Sequence, residues 1–411
     1  MDTQYGPIPS SPAHLQRLRE LVPSAEELEK AGYVLAQLSA SDMGRKRRCD
    51  RCTRALKHSG RDTQHGPRAA VTASASSLPS TAPQIPSHAR IVAAQEAARI
   101  SKEFDDAFDE LTISLANKPA KPVEPIIRCK FHPGKVAYKK WTCCGNHVMA
   151  KPCTGEEHHL PRHYRVGELE KNWRYYPTPL VALSSPPAAA VVIDCEMGTA
   201  ATGESELIRV SVIDYFSRRV LFDSLVLPQV KMAHYNTRYS GISRQMMEDA
   251  HRRRKCLVGR DQARSAVWRL VGPDTIVIGH AGQQDLTSLR WIHPLIVDTL
   301  MIEKMRRETE RQAEEAAKAE SAGKDSAQNQ DGGGGGVDDA DGNDQGNEDD
   351  SASKREGGLS LKALASQRLN RTIQIRGRGH DSVEDALATR DLLCWQISHP
   401  MLESVPLTMP A

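Results

Sequence analysis

Asp194 and Glu196 stand one residue apart at the end of the apolar run Ala190-Val191-Val192-Ile193. Side chains alternate along a strand, so both carboxylates leave one face and Cys195 the other. Two carboxylates beside apolar surface are costly unless a cation neutralises them. Taken alone, an Asp-x-Glu pair is common, and a solvated strand end is its ordinary explanation. Two further acids change the weighting. Asp285 follows the run Ile278-Gly279-His280-Ala281-Gly282 on what reads as the first turn of a helix after a strand, the edge where α/β sheets place ligands. Asp385 comes five residues after His380 in a segment that opens a last helix, so Asp385 can aim at the sheet while His380 sits on the preceding loop. The plainer explanation of each is a helix N-terminus enriched in acids.

A second set of residues carries sulfur and imidazole: Cys49-x-x-Cys52, Cys129-x-x-His132, Cys143-Cys144 and Cys153-x-x-x-x-His158. Two ligands on one tight turn face the same side of a tetrahedron, which suits zinc, and these eight residues fill two closed Zn²⁺ sites. His147 and His159 are rival ligands, and the order of the residues leaves open which pairs share an ion. Unpaired buried thiols would not explain the accompanying histidines. Lys130, Lys135, Lys139, Lys140 and Lys151 interleave here with Tyr138 and Trp141. Such a mixture suits phosphate contact and base stacking, and equally a solvated lysine face.

The chain that must position these groups has 411 residues, more than one ordinary domain. Its hydrophobic fraction of 39%, charged fraction of 26% and net charge of +3 exclude a fibrous repeat and a polybasic sponge. The total conceals a division: residues 1–190 hold 27 Lys and Arg against 19 acids, and residues 191–411 hold 28 against 33. One Lys against nine acids in 321–350 accounts for that reversal. Mild basicity elsewhere permits a polyanionic partner. There is no apolar run long enough for a membrane span and no secretory pattern in Met1 to Ser11, so a soluble intracellular chain is expected. Arg45-Lys46-Arg47-Arg48 reads as an import signal or as the flank of the first cysteine knuckle, and Arg252-Arg253-Arg254-Lys255 as a solvated face.

Residues 1–12 and 59–88 are rich in Ser, Pro, Ala and Gly and are expected to be flexible. Leu15 to Leu38 and His88 to Leu115 have helical periodicity. Strands are predicted at 190–196, 207–213, 220–227, 275–279 and 296–298, with helices from Ser243, around Gln262 to Leu270, and over 282–291, 359–369 and 382–397. Three antiparallel-type strands followed by alternating helix and strand define an α/β domain with a mixed sheet. The acidic, glycine-rich text of about 321–356 lacks the apolar residues to fold. The expected organisation is therefore a tail (1–12), a partly helical zinc-binding region (13–175), a catalytic domain (185–398) carrying that insertion, and a second tail (399–411).

The order Asp-x-Glu, Gly-His-x-x-x-x-Asp-Leu and His-x-x-x-x-Asp resembles the DEDDh, or DnaQ-like, 3′-to-5′ exonucleases. More narrowly, Asp194-Cys195-Glu196-Met197-Gly198, Tyr235 to Ile242, His293 to Thr299, Leu359 to Leu364 and His380-Asp381-Ser382 look like the Rex-type RNA exonucleases. The cysteine region is similar to the zinc region of the RNA exonuclease 3 type, and also to CHORD modules. The resemblance covers about 185–398 apart from the insertion. It implies a ribonuclease H-like fold with a five-stranded mixed sheet, and release of nucleoside 5′-monophosphates from RNA with a free 3′ end. It also implies trimming of structured RNAs including rRNA, nuclear and cytoplasmic location, and no membrane.

Four carboxylates, Asp194, Glu196, Asp285 and Asp385, suit two hard Mg²⁺ or Mn²⁺ ions. His380 suits the general base. Met197 and Gly198 would, by the resemblance, lie beside the terminal nucleotide. The segment His280-Ala281-Gly282-Gln283-Gln284-Asp285 departs from bulkier relatives without losing a carboxylate. A DNA exonuclease of the same fold and an inactive zinc-mediated interaction module are the alternatives. Asp298 reads as structural.

Overall fold

The computed structural model describes residues 5–56, 126–180, 186–328 and 358–400, except 376 and 378. The expected helix of His88 to Leu115, the expected flexible connector at 59–88 and the insertion beyond 328 lie outside the described residues. Two compact units are present. The described parts of Met1–Arg48, Thr53–Leu56 and Arg162–Ala411 form the larger, and Cys49–Cys52 with the described part of Lys57–Pro161 the smaller.

Three short helices open the larger unit: α1 (Pro12–Glu20), α2 (Ala25–Lys30) and α3 (Ala40–Arg45). Each starts at a serine, Ser11, Ser24 or Ser39, whose hydroxyl accepts from a first-turn N–H, and Glu27 and Asp42 complete capping boxes at α2 and α3. The smaller unit contains β1 (Cys129–Phe131), β2 (Val136–Ala137), β3 (Lys140–Trp141) and β4 (Thr154–Glu156), paired antiparallel as β1 with β4 and β2 with β3.

The larger unit resumes with α4 (Glu168–Asn172), β5 (Tyr176–Pro177), β6 (Ala190–Ala200), β7 (Ser205–Asp214), β8 (Val220–Leu227) and β9 (Met232–His234). Then come α5 (Thr237–Ser240), α6 (Arg244–Arg252), β10 (Cys256–Val258), α7 (Gly259–Val267), β11 (Ile276–Gly279) and α8 (Gln283–Leu289). It closes with β12 (Trp291–Ile292), β13 (Ile296–Asp298), α9 (Thr299–Gln328), α10 (Leu361–Leu369) and α11 (Ser382–Ser398). The main sheet runs β10-β8-β7-β6-β11-β13, with β9 beside the end of β6. Strands β6, β7 and β8 are antiparallel neighbours, whereas β10, β11 and β13 add in parallel.

The mixed α/β sheet is as expected, but it has seven strands rather than five. The two extra, β9 and β10, are three residues each, too short to give a hydrophobic period. Alternation along β6 sorts the core. Val191, Ile193 and Cys195 pack with Ala263, Val267, Leu286 and Leu289 of α7 and α8. Ala190 and Val192 pack with Ala386, Leu393 and Cys394 of α11 on the opposite face.

Three expected boundaries move. Residues from Tyr5 are a packed strap rather than a tail: Ile8 N donates to Phe216 O, and the fully buried Arg390 donates to Tyr5 O and Gly6 O. A buried guanidinium needs several acceptors, and backbone carbonyls supply them. The first helices do not belong with the cysteines. Leu18 lies in the α11-side core, and Leu28 and Tyr33 lie in the other. Finally, α9 continues to Gln328, past the expected start of disorder at 321. Among the described residues, no helix is long and apolar enough to cross a membrane.

Candidate functional site

The acidic residues converge where β6, α8 and α11 meet. Glu196, His380 and Asp385 each offer a ligand atom within 4.8 Å of the others. Asp194 and Asp285 fall outside that tight set, and Asp194 feels the charges of Asp285, Asp385 and Glu196. The predicted alternation holds: Cys195 faces the α7–α8 core, so Asp194 and Glu196 face α11. Asp285, on the first turn of α8, accepts the Cys195 N–H through Oδ1 at 2.9 Å, which fixes it against β6. His380 sits on the loop before α11, with Nδ1 3.8 Å from Asp385 Oδ2.

Several positioning residues carried no sequence signal. Gln374 Nε2 donates to Asp385 Oδ2 at 3.0 Å, and its own loop is held by Lys362 Nζ on Gln374 O at 2.6 Å. His380 N donates to Tyr239 O, so the 235–242 segment orients the histidine loop. That segment is anchored in turn by Asn236, in the left-handed region at φ 52°, whose Nδ2 donates to Met197 O at 3.0 Å. Arg209, the cross-strand partner of Glu196, forks onto Asp223 at 2.8 and 2.9 Å and reaches Asp381 at 3.3 Å.

Burial, then the Asp385 charge, pushes Glu196 up to about 8. Burial pushes Asp385 up to about 6. Burial, reinforced for Asp194 by the neighbouring carboxylates, also holds Asp194 and Asp285 well above the usual range. Four acids that resist ionisation together would be relieved by a bound cation. Asp385 Oδ1 supplies a second indication: it is buried and has no hydrogen-bond partner. The all-oxygen donor set and this orphaned atom fit a hard divalent ion. Burial, followed by the Lys362 charge, lowers His380, which keeps its ring neutral near pH 7 and able to accept a proton.

Met197 packs against the α7–α8 core, and a Cβ on Gly198 would meet Met232 Cε at 2.6 Å and His234 O at 3.1 Å. The glycine is therefore already required by the approach of β9. Asp298 is structural, accepting from Ala281 N, Leu300 N, Gly282 N and Tyr33 Oη.

In the smaller unit the ligands separate into two clusters, Cys49, Cys52, Cys129 and His159, and His132, Cys143, Cys144 and Cys153. Cys49 Sγ lies 3.6 Å from Cys129 Sγ, and Cys52 Sγ 3.3 Å from His159 Nδ1. In the other cluster Cys143 Sγ is 3.6 Å from both Cys153 Sγ and His132 Nδ1, as is Cys144 Sγ from that same nitrogen. Zinc–sulfur bonds of about 2.3 Å imply tetrahedral edges near ~3.8 Å, so both clusters fit zinc.

One expected ligand is corrected. His158 is exposed and outside both clusters, and His159 takes its place. The reason is backbone register: Asp50 N donates to Leu160 O and Cys49 bridges Pro161, which lays 159–161 along the first knuckle. His147 is likewise in neither cluster. Trp141 stacks on the ligand His132 at 4.4 Å, while Tyr138 and all five lysines of this region are exposed.

Over about half its length this chain is similar to curated exonucleases. They include "RNA exonuclease 3" of Candida albicans, 31% identical over 186 residues, 44% of this chain and 43% of that one. The "Apoptosis-enhancing nuclease" of Rattus norvegicus is 30% identical over 220 residues, 53% of this chain and 51% of that protein. "Interferon-stimulated 20 kDa exonuclease-like 2" of Bos taurus is 32% identical over 210 residues, 50% of this chain and 46% of that protein. The chain thus spans about half the length of the curated relatives it matches. No family model matches it. The expected likeness to proteins of the RNA exonuclease 3 type is met.

Proposed function

We propose that this chain is a metal-dependent 3′-to-5′ exoribonuclease of ribonuclease H-like fold that releases nucleoside 5′-monophosphates and trims structured non-coding RNAs, including rRNA, in nucleus and cytoplasm. The observation that carries the reading is the convergence of Glu196, His380 and Asp385 within 4.8 Å around the orphaned Asp385 Oδ1. The central five strands, β8-β7-β6-β11-β13, have the antiparallel-then-parallel order expected of that fold.

Asp194, Glu196, Asp285 and Asp385 would hold two Mg²⁺ or Mn²⁺ ions. Bound there, the ions supply Lewis-acid charge to the scissile phosphate and to the leaving 3′ oxygen. The chain's own groups do the rest. Neutral His380, its loop tied to Tyr239, takes the proton of the attacking water. Gln374 holds Asp385 in one rotamer, and Cys195 N–H holds Asp285. Met197 and Gly198 flank the strand end where a terminal nucleotide would rest. Two Zn²⁺ ions in the cysteine clusters are structural in this reading, because four protein ligands leave no open position. The substrate is RNA with a free 3′ end, and no membrane is involved.

Anion-exchange analysis of a single-stranded RNA digest tests the reading. Nucleoside 5′-monophosphates released from the start of the reaction are expected. Oligomers as the first products would indicate an endonuclease and overturn it.

A further inference from the structure

A cavity of about 260 Å³ lies in the larger unit among residues following α4, the start of β7, the end of β8 and the start of α7. Its wall carries five cationic side chains, Lys171, Arg174, Arg260, Arg264 and Arg290, against two carboxylates, Glu206 and Asp261. The charge of the wall is therefore +3 (five less two).

The pairings do not cancel it. Arg260 binds Glu206 at 2.6 Å, and Arg264 binds Asp261 at 2.7 Å. Arg290 is 2% exposed, yet its hydrogen bonds go to carbonyls, those of Asn172 and Thr287. Arg260 donates to the same Asn172 carbonyl at 3.2 Å, so two guanidiniums converge on one neutral acceptor. Glu206 and Glu204 act on Arg290 at longer range, and only Glu206 lines the cavity. Arg264 Nε is buried without an acceptor. Lys171 and Arg174 line the cavity and are exposed, and among the described residues neither has a carboxylate partner. Arg264 and Arg174 also lie over the Tyr176 ring, 4.1 and 5.3 Å from its centre, which gives the wall an aromatic plane. Burial first, then the Arg260 charge, lowers Arg290 to about 10.

Strands β6, β8 and β10 run the same way, so the cavity lies toward their carboxyl ends, on the α7–α8 side of the sheet, whereas Asp194 and Glu196 face α11. Leu207 and Glu206, which line it, are the cross-strand partners of Met197 and Gly198.

We propose that this cavity is a second phosphate site, gripping a backbone phosphodiester of the nucleic-acid strand away from the cluster of acids. Lys171 and Arg174 would meet the phosphate first, and Arg260 would complete the contact. The proposal rests on the nuclease reading for the identity of the strand, and on the cavity itself for the anion.

The test uses the full chain in buffer free of Mg²⁺ and Mn²⁺, which stops hydrolysis without drawing on the zinc clusters, and a fluorescein-labelled single-stranded oligoribonucleotide at several salt concentrations. Three proteins are compared: wild type, the double variant Lys171→Ala/Arg174→Ala, and the charge-keeping Lys171→Arg/Arg174→Lys. Each phosphate contact to a single strand contributes about 0.7 to the slope of log K against log salt, so the alanine variant should lose about 1.4 from the slope. The arginine–lysine exchange should keep the slope. Hydrolysis of a nitrophenyl ester of a nucleoside 5′-monophosphate, too short to reach the cavity, should be equal in all three with Mg²⁺. Should wild type hydrolyse nothing, the nuclease reading fails while the binding arm still reports on the cavity. An unchanged slope in the alanine variant would overturn the proposal. So would inorganic phosphate binding that depends on Lys171 and Arg174 while oligonucleotide affinity does not, since the site would then take a free anion.

Discussion

Replacing Asp385 by asparagine should stabilise the protein when metal is removed, although it destroys the site. In the metal-free fold Asp385 is pushed from 3.8 up to about 6, and Glu196 from 4.5 up to about 8, both first by burial. A carboxyl whose folded pKa is raised contributes stability that is fully present below its unfolded pKa and lost as pH rises through its folded pKa. For Asp385 that window is 3.8 to about 6, and for Glu196 it is 4.5 to about 8. At about 1.4 kcal/mol per pH unit, the Asp385 window is worth at most about 3 kcal/mol. Asp385→Asn removes this loss and lifts one repulsion from Glu196, while Gln374 can still donate to the amide oxygen.

Urea unfolding in Mg²⁺-free buffer at pH 8 should therefore find the variant about 1–3 kcal/mol more stable than wild type, and at pH 5 the gap should narrow. Mg²⁺ should stabilise wild type by RT ln(1 + [Mg²⁺]/Kd) and leave the variant nearly unmoved. A variant that is equally destabilised at both pH values would refute the electrostatic reasoning.

His380→Ala should lower the rate of nucleotide release by about 10²–10⁴-fold, and a loss under about tenfold would remove the histidine from the role of base. Asp194→Ala should abolish Mg²⁺-dependent release with the far-ultraviolet circular dichroism unchanged, and near-normal turnover would contradict the four-carboxylate assignment. Elemental analysis of freshly purified protein should find two zinc ions per chain. His159→Ala or Cys144→Ala should lose one, whereas His158→Ala should keep both, and a zinc-free wild type would end this part of the account. Because closed zinc sites contribute folding energy directly, loss of a ligand should open 126–161 to protease and leave the main sheet protected.

What could be read from residue order was whatever repeats along a strand or opens a helix. The Asp194–Glu196 alternation, Asp285 on a first turn and His380 ahead of Asp385 depend on short-range geometry, and the structure places each as the pattern requires. What escaped depends on contacts distant in sequence. Gln374 reaches Asp385 from a turn with φ 53° at its own Cα, and no periodicity marks such a position. The Tyr5–Ser11 strap looks like a polar tail until Arg390, some 380 residues later, collects its carbonyls. His158 and His159 are indistinguishable in composition, and only the bridge of Cys49 to Pro161 selects the second.

The central claim is hydrolysis from a 3′ end by the Glu196–His380–Asp385 cluster with a divalent metal. It is tested most directly by incubating the purified protein with 5′-labelled single-stranded RNA, and with DNA of the same sequence, with and without Mg²⁺. The account predicts a ladder that shortens from the 3′ end on RNA, needs Mg²⁺, and is absent with Asp385→Asn. Intact RNA in Mg²⁺, or the same ladder from Asp385→Asn, would contradict it.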